Sequence, residues 1–216
     1  MNLFGIALST ALGLLSLPMA QAASTVELTV TGRITPLACT PTLSGGGVVD
    51  LGRISHQDLN TETGTRLPLR PLSLGISCLG PTRFALLMTD NRDGSANVNS
   101  EIFYGLGLDN SGNKVGLFSV SFDPTLTVVD SVAQIYGTES TTGGVAWRPA
   151  NLRPIDIGSR SYLAFTDIDG STAGPSAIQN LTTLLKVEVV LAALKNLDLS
   201  TDVRIDGSGS LQIVYL

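Results

Sequence analysis

Apolar residues stand at every second position in run after run of this 216-residue sequence, and that spacing builds strands rather than helices. The last ten residues show it plainly. Leu211, Ile213 and Tyr215 alternate with Ser210, Gln212 and Val214. A chain end frays unless something holds it, so this strand, with Tyr215 pointing inward, is expected to dock in a sheet. Gly207 and Gly209 ahead of it predict a bend and leave little room for a helix. Leu72, Leu74, Ile76 and Cys78 keep the same step. Leu181 to Leu194 has the Leu/Ala content of a helix. Leu185, Val187, Val189 and Leu191 nevertheless alternate with Lys186, Glu188 and Val190, which predicts a strand at least through Leu191.

Composition agrees with many short strands joined by turns. Glycine is abundant at 23 and proline reaches 10, while long Glu/Lys-rich stretches are missing. The expected fold class is all-β, a sandwich or barrel. The net charge of −5 comes without a clustered Lys/Arg face, which argues against nucleic acid as a partner.

Residues 1–22 differ from the rest. Leu3 to Ala20 carries no charge, and Ala20-Gln21-Ala22 gives a small-x-small cleavage pattern. This reads as an export signal cut between Ala22 and Ala23, with the amino terminus as its only positive charge. The remainder, 23–216, is expected to form one domain. An exported chain with two cysteines, Cys39 and Cys78, most simply joins them in a disulfide closing a loop of about 40 residues. A metal site would need more ligands than the single His56 offers, and a redox pair is more often Cys-x-x-Cys.

Further strands are expected at Thr25–Ile34, Val48–Ile54, Phe84–Met88, Ser161–Phe165 and Leu197–Ile205. A hairpin is expected over Ile102–Leu108 and Val115–Phe122 around Asp109-Asn110-Ser111-Gly112-Asn113. Leu126–Tyr136 reads as a strand or an irregular arm, and Gly137–Gly144 as a loop.

The layout of the two ends carries a resemblance. An alternating N-terminal strand leads to Gly32-x-Ile34 and Cys39. Val49-Asp50-Leu51-Gly52-Arg53-Ile54 follows, then Cys78, and the chain finishes in an alternating strand with Tyr215 next to last. This resembles the pilins, the fimbrial subunits of the bacterial chaperone–usher pathway, and is closest to a fimbrial-like branch in Gram-negative bacteria. The resemblance implies an immunoglobulin-like sandwich lacking its last strand and completed by a donated one. It implies a groove lined by Leu211, Ile213 and Tyr215, with the Leu216 carboxylate as the anchor for a periplasmic chaperone. The Cys39–Cys78 disulfide would pin the first two strands. An outer-membrane usher and neighbouring pilus subunits are the other implied partners, and the implied location is the fimbrium at the cell surface, reached through the periplasm. Val26, Leu28 and Val30 alternate as a donor strand would, or as part of the first strand. The alternative reading is a secreted adhesin or lectin-like domain with a complete sandwich, binding a host or surface glycan.

Four further stretches carry residue types that chemistry uses. His56 would have to be the base of any Ser-His-Asp arrangement, and a surface-loop histidine fits its Ser55-His56-Gln57-Asp58 context better. Asp167-x-Asp169-Gly170-Ser171 lacks the twelve-residue calcium loop and its closing glutamate, so an acidic turn is expected. Trp147 with Arg148 has the elements of a sugar-stacking pair, and a core or edge tryptophan is the plainer expectation. Gly45-Gly46-Gly47 is not a phosphate loop, because no Lys-Ser/Thr follows. No enzyme activity and no cofactor are expected.

Overall fold

The computed structural model describes residues 27–32, 38–132, 134–151 and 153–216. The chain divides into two units, Met1–Thr35 and Pro36–Leu216. In the first, residues 27–32 form no strand, so the strand expected over 25–34 is not seen there, and Leu28 and Val30 have exposed side chains. Ala22, Ala23 and Val26 lie outside the described residues.

The second unit is all-β. Its strands are β1 (Cys39–Leu43), β2 (Thr65–Arg66), β3 (Arg70–Thr82), β4 (Phe84–Asp90), β5 (Tyr104–Gly105), β6 (Gly116–Phe122) and β7 (Val128–Val129). They continue with β8 (Tyr136–Ser140), β9 (Arg148–Ala150), β10 (Ile155–Asp156), β11 (Tyr162–Thr166), β12 (Ile178–Leu191) and β13 (Gly209–Tyr215). All pairings are antiparallel. One sheet runs β1-β3-β12-β6-β10, with β2 and β7 also on β12 and β5 on β6. The other runs β13-β4-β11-β8-β9. The two form a β-sandwich.

The fourteen-residue β12 is the spine of the first sheet. On one side it pairs with β3 and then β2, on the other with β7 and then β6. Its alternation explains why it is not a helix. Leu181, Leu185, Val187, Val189 and Leu191 all face the core, a placement that only a period of two delivers. They meet Phe84, Leu86 and Met88 of β4 and Leu163 and Phe165 of β11 within one apolar cluster. The Phe122 and Phe165 rings meet edge-on at 5.1 Å across the sheets. Each such buried side chain contributes about 1.5–3 kcal/mol.

Three expected elements come out differently. Val48–Ile54 forms no strand and is unpaired. Gly52 sits at φ +68° and its N–H is taken by the Asp50 side chain at 2.8 Å, a local turn that breaks any ladder. Leu197–Ile205 is likewise no strand. In both segments the apolar positions still pack on the core, through Val49, Leu51 and Ile54 in one and Val203 and Ile205 in the other. Gly137–Gly144 is not all loop, since Tyr136–Ser140 is β8. Gly137 is there for close packing, because a Cβ on it would come within 2.5 Å of Ile155 Cδ1.

Cys39 and Cys78 are register partners in the β1–β3 ladder and are joined by a disulfide. Opening that loop by Cys39→Ser is expected to lower the unfolding free energy by about 4 kcal/mol. Urea unfolding without reductant checks this, and an unchanged midpoint would refute it. Tyr104 is fully buried, and its hydroxyl donates to the Ile157 carbonyl at 2.6 Å. Burial, helped by nearby Asp90, pushes its phenol above the ordinary value. Tyr104→Phe leaves that carbonyl without its donor and is expected to cost about 1–3 kcal/mol, read from the same unfolding curves.

Candidate functional site

A groove of about 950 Å³ opens between the two sheets beside β13. One wall is the unpaired segment 49–59. The other is the segment 197–209 with Leu211. Leu72, Phe118, Val120, Val187 and Val189 of the first sheet and Met88 of the second form its apolar floor.

β13 is an edge strand, paired only with β4, in a register running from Gly209↔Asp90 to Tyr215↔Phe84. Leu216 N–H donates to Arg83 O at 3.1 Å and Asn91 N–H to Ser208 O at 3.0 Å. Those bonds mark the even-numbered residues as the ones whose backbone faces β4. In an antiparallel ladder the alternate residues face away. The N–H and C=O groups of Gly209, Leu211, Ile213 and Tyr215 therefore point to the open side, where no described strand meets them. Across the groove, residues 49–54 form no backbone–backbone hydrogen bonds among the described residues. A row of free backbone groups beside an apolar floor is a template for another strand.

The walls are held in place by polar contacts. Arg92 grips Asp206 through Nε, at 3.1 Å to both the backbone oxygen and Oδ2, and through Nη2 at 2.8 Å to Oδ2. Asp206 N–H donates to Leu106 O at 2.9 Å, and Asn91 Nδ2 donates to Ser208 Oγ at 3.0 Å. These bonds tie the segment ahead of β13 to the loop after β4 and to Leu106, just past β5. The exposed ion pair adds little energy of its own, and its fork geometry fixes position. Further along, the Asp109 carboxylate accepts from Asp198 N–H at 2.7 Å, from Asn113 N–H at 2.8 Å and Nδ2 at 3.0 Å, and from Ser111 N–H at 3.0 Å. The Asp198 amide first, then the Asn113 and Ser111 donors, hold its carboxyl down at about 2.

The residues expected at the groove separate. Leu211 lines it. Ile213 packs on the core cluster from its partly buried position. Tyr215 and Leu216 are about half exposed at the strand's end, so Tyr215 is not the inward core residue expected. Its hydroxyl instead accepts from Cys39 N–H at 2.8 Å. His56 lies on the groove's rim, in a short 3₁₀ turn capped by Ser55. Trp147 and Arg148 are engaged within the chain: the indole N–H donates to Gly144 O at 2.9 Å, and Arg148 Nε donates to Glu139 at 2.8 Å. Asp167 accepts from the Ser176 hydroxyl, as an acidic turn would. The sequence reading missed the wall at 197–206, the Arg92–Asp206 clamp and the Tyr215–Cys39 contact. Gly207-x-Gly209 was the available signal, since close-set glycines mark places where other side chains press on the backbone.

Fold and groove together define an open-edged antiparallel β-sandwich. Residues 28–102, which span β1, the 49–59 wall, β3 and β4, match a family described as protein of unknown function (DUF1120). The chain is 25% identical over 225 aligned residues to the uncharacterized protein YhcF of Escherichia coli (strain K12), an alignment covering 91% of this chain and 93% of that one. It is 32% identical over 128 residues to protein GltF of the same organism, covering 49% of this chain and 50% of GltF.

The Asp109 carboxylate makes a testable pH dependence. Its pKa is lower folded than unfolded, so its stabilising effect is present above about pH 4 and is lost as pH falls from about 4 toward 2. Asp109→Asn is expected to lower the melting temperature at neutral pH and to flatten its fall below pH 4. Parallel melting curves of the two proteins across pH 2–7 check it.

Proposed function

We propose that this chain is a structural subunit of a chaperone–usher fimbria that assembles by strand addition. In this reading residues 1–22 direct export and are removed, and the mature chain 23–216 forms its disulfide in the periplasm. A periplasmic chaperone first fills the groove with one of its strands. An outer-membrane usher then exchanges that strand for one from a neighbouring subunit, completing the sandwich in an immunoglobulin-like arrangement. Residues around Val26, Leu28 and Val30 are the segment this chain would donate in turn. The role is structural rather than catalytic.

One observation carries the reading: an edge strand with four outward-facing backbone residues borders a groove with an apolar floor that is also lined by the unpaired segment 49–54. Backbone bonding along such an edge supplies affinity, and alternate side chains supply register. A lectin-like domain gains less support, because Trp147 and Arg148 are occupied by Gly144 and Glu139.

Periplasmic expression of the full chain, with and without its cognate chaperone, tests the proposal. The expected product is a one-to-one complex, recovered in quantity only with the chaperone. Deleting Gln212–Leu216, or replacing Leu211 and Ile213 by Asp, is expected to abolish its accumulation. A soluble monomer that unfolds in two states and needs no partner would sink the proposal.

A further inference from the structure

The two ends of the groove differ. At one end Gly207 and Gly209 place bare backbone against the core: a Cβ on Gly207 would come within 2.8 Å of Leu106 Cδ2, and one on Gly209 within 2.3 Å of Met88 Cε. No β13 side chain enters the space between the sheets there, and core side chains line the cavity directly. Leu211 is the last β13 residue along it. At the other end, Tyr215 crosses from the edge of the second sheet to the edge of the first and meets Cys39 N–H at 2.8 Å. The residue is 51% exposed, so burial alone does not aim the ring and the hydrogen bond supplies its direction. Cys39 is itself fixed, by its register with Cys78 and by the disulfide.

We propose that Tyr215 is the end-stop of the groove, a positioning residue whose hydroxyl joins the two sheet edges and restricts the large side chains of an added strand to the Gly207–Leu211 half. The inference rests on the strand-addition reading. Side chains on one face of a strand recur every second residue, so an added strand sets one inward residue near each of Gly209, Leu211, Ile213 and Tyr215. The cavity itself lies along Gly207, Gly209 and Leu211 and is lined by neither Ile213 nor Tyr215. Opposite Tyr215 the ring and its tie to Cys39 occupy the space. A large side chain there must displace the ring and strip the Cys39 amide of its partner.

The test uses the full chain from periplasmic expression as its one-to-one chaperone complex, disulfide intact, and synthetic peptides with the sequence of Ser24–Arg33 that exchange for the chaperone strand. Val26, Leu28 and Val30 are replaced by Phe one at a time, the other two holding the register, and binding is followed by the anisotropy of a dye on the peptide. With the wild-type chain, affinity is expected to differ about tenfold between the best and worst Phe positions, the scale of one large side chain accepted or refused. Tyr215→Ala is expected to erase that difference. Tyr215→Phe keeps the ring, and is expected to speed hydrogen exchange at the Cys39 amide about fivefold, as loss of one ordinary hydrogen bond does. Wild-type binding that ignores Phe position, or a preference that survives Tyr215→Ala, overturns the end-stop and leaves strand addition standing. Unchanged Cys39 exchange in Tyr215→Phe also overturns it. Failure of every peptide to bind the wild-type chain overturns both readings.

Discussion

A strand has two hydrogen-bonding edges, and β13 uses one. The outward N–H and C=O groups of Gly209, Leu211, Ile213 and Tyr215 are what the rest of the structure is arranged around. In water such groups are solvated at little cost. Beside an apolar floor of Phe118, Val120 and Val187, pairing with another strand gains both backbone bonds and buried area.

Keeping such a groove open requires that its walls do not collapse onto each other, and the chain meets that need with polar ties as well as packing of each wall on the core. The Asp50–Gly52 turn kinks one wall out of any ladder. The Arg92–Asp206 fork and the Asp109–Asp198 contact hold the other at a fixed offset from the hairpins. Beneath both, β12 organises the first sheet by taking two partners on each side in succession, so the floor is continuous although β2, β5 and β7 are only two residues long.

The fold was legible wherever period two coincided with a neighbour to pair with. Leu72–Cys78 and Leu185–Leu191 became β3 and β12 with core-facing residues as read, and the continuous apolar run Phe84–Met88 became β4. Legibility failed at Val48–Ile54 and Leu197–Ile205, where the alternation is real but reflects packing on the core without pairing. Alternation reports which face is buried and carries no information about whether an edge is filled. The same gap hid the site. Leu211 lies along the cavity, whereas Tyr215, read as inward from its alternation because an apolar position near a chain end reads as core, is half exposed. Its partner, the Cys39 amide, is a backbone group 176 residues away that no side-chain pattern reveals.

Trp147 is the only tryptophan of the sequence. Its ring packs on Gly174, and Leu216 reaches the neighbouring Gly144, where a Cβ would stand 3.0 Å from Leu216 Cδ2 and 3.8 Å from the indole. The indole therefore sits one glycine away from the end of the strand that borders the groove. Any rearrangement of that strand end changes the polarity around a single fluorophore, so the molecule carries its own unlabelled optical reporter of whether its edge is occupied.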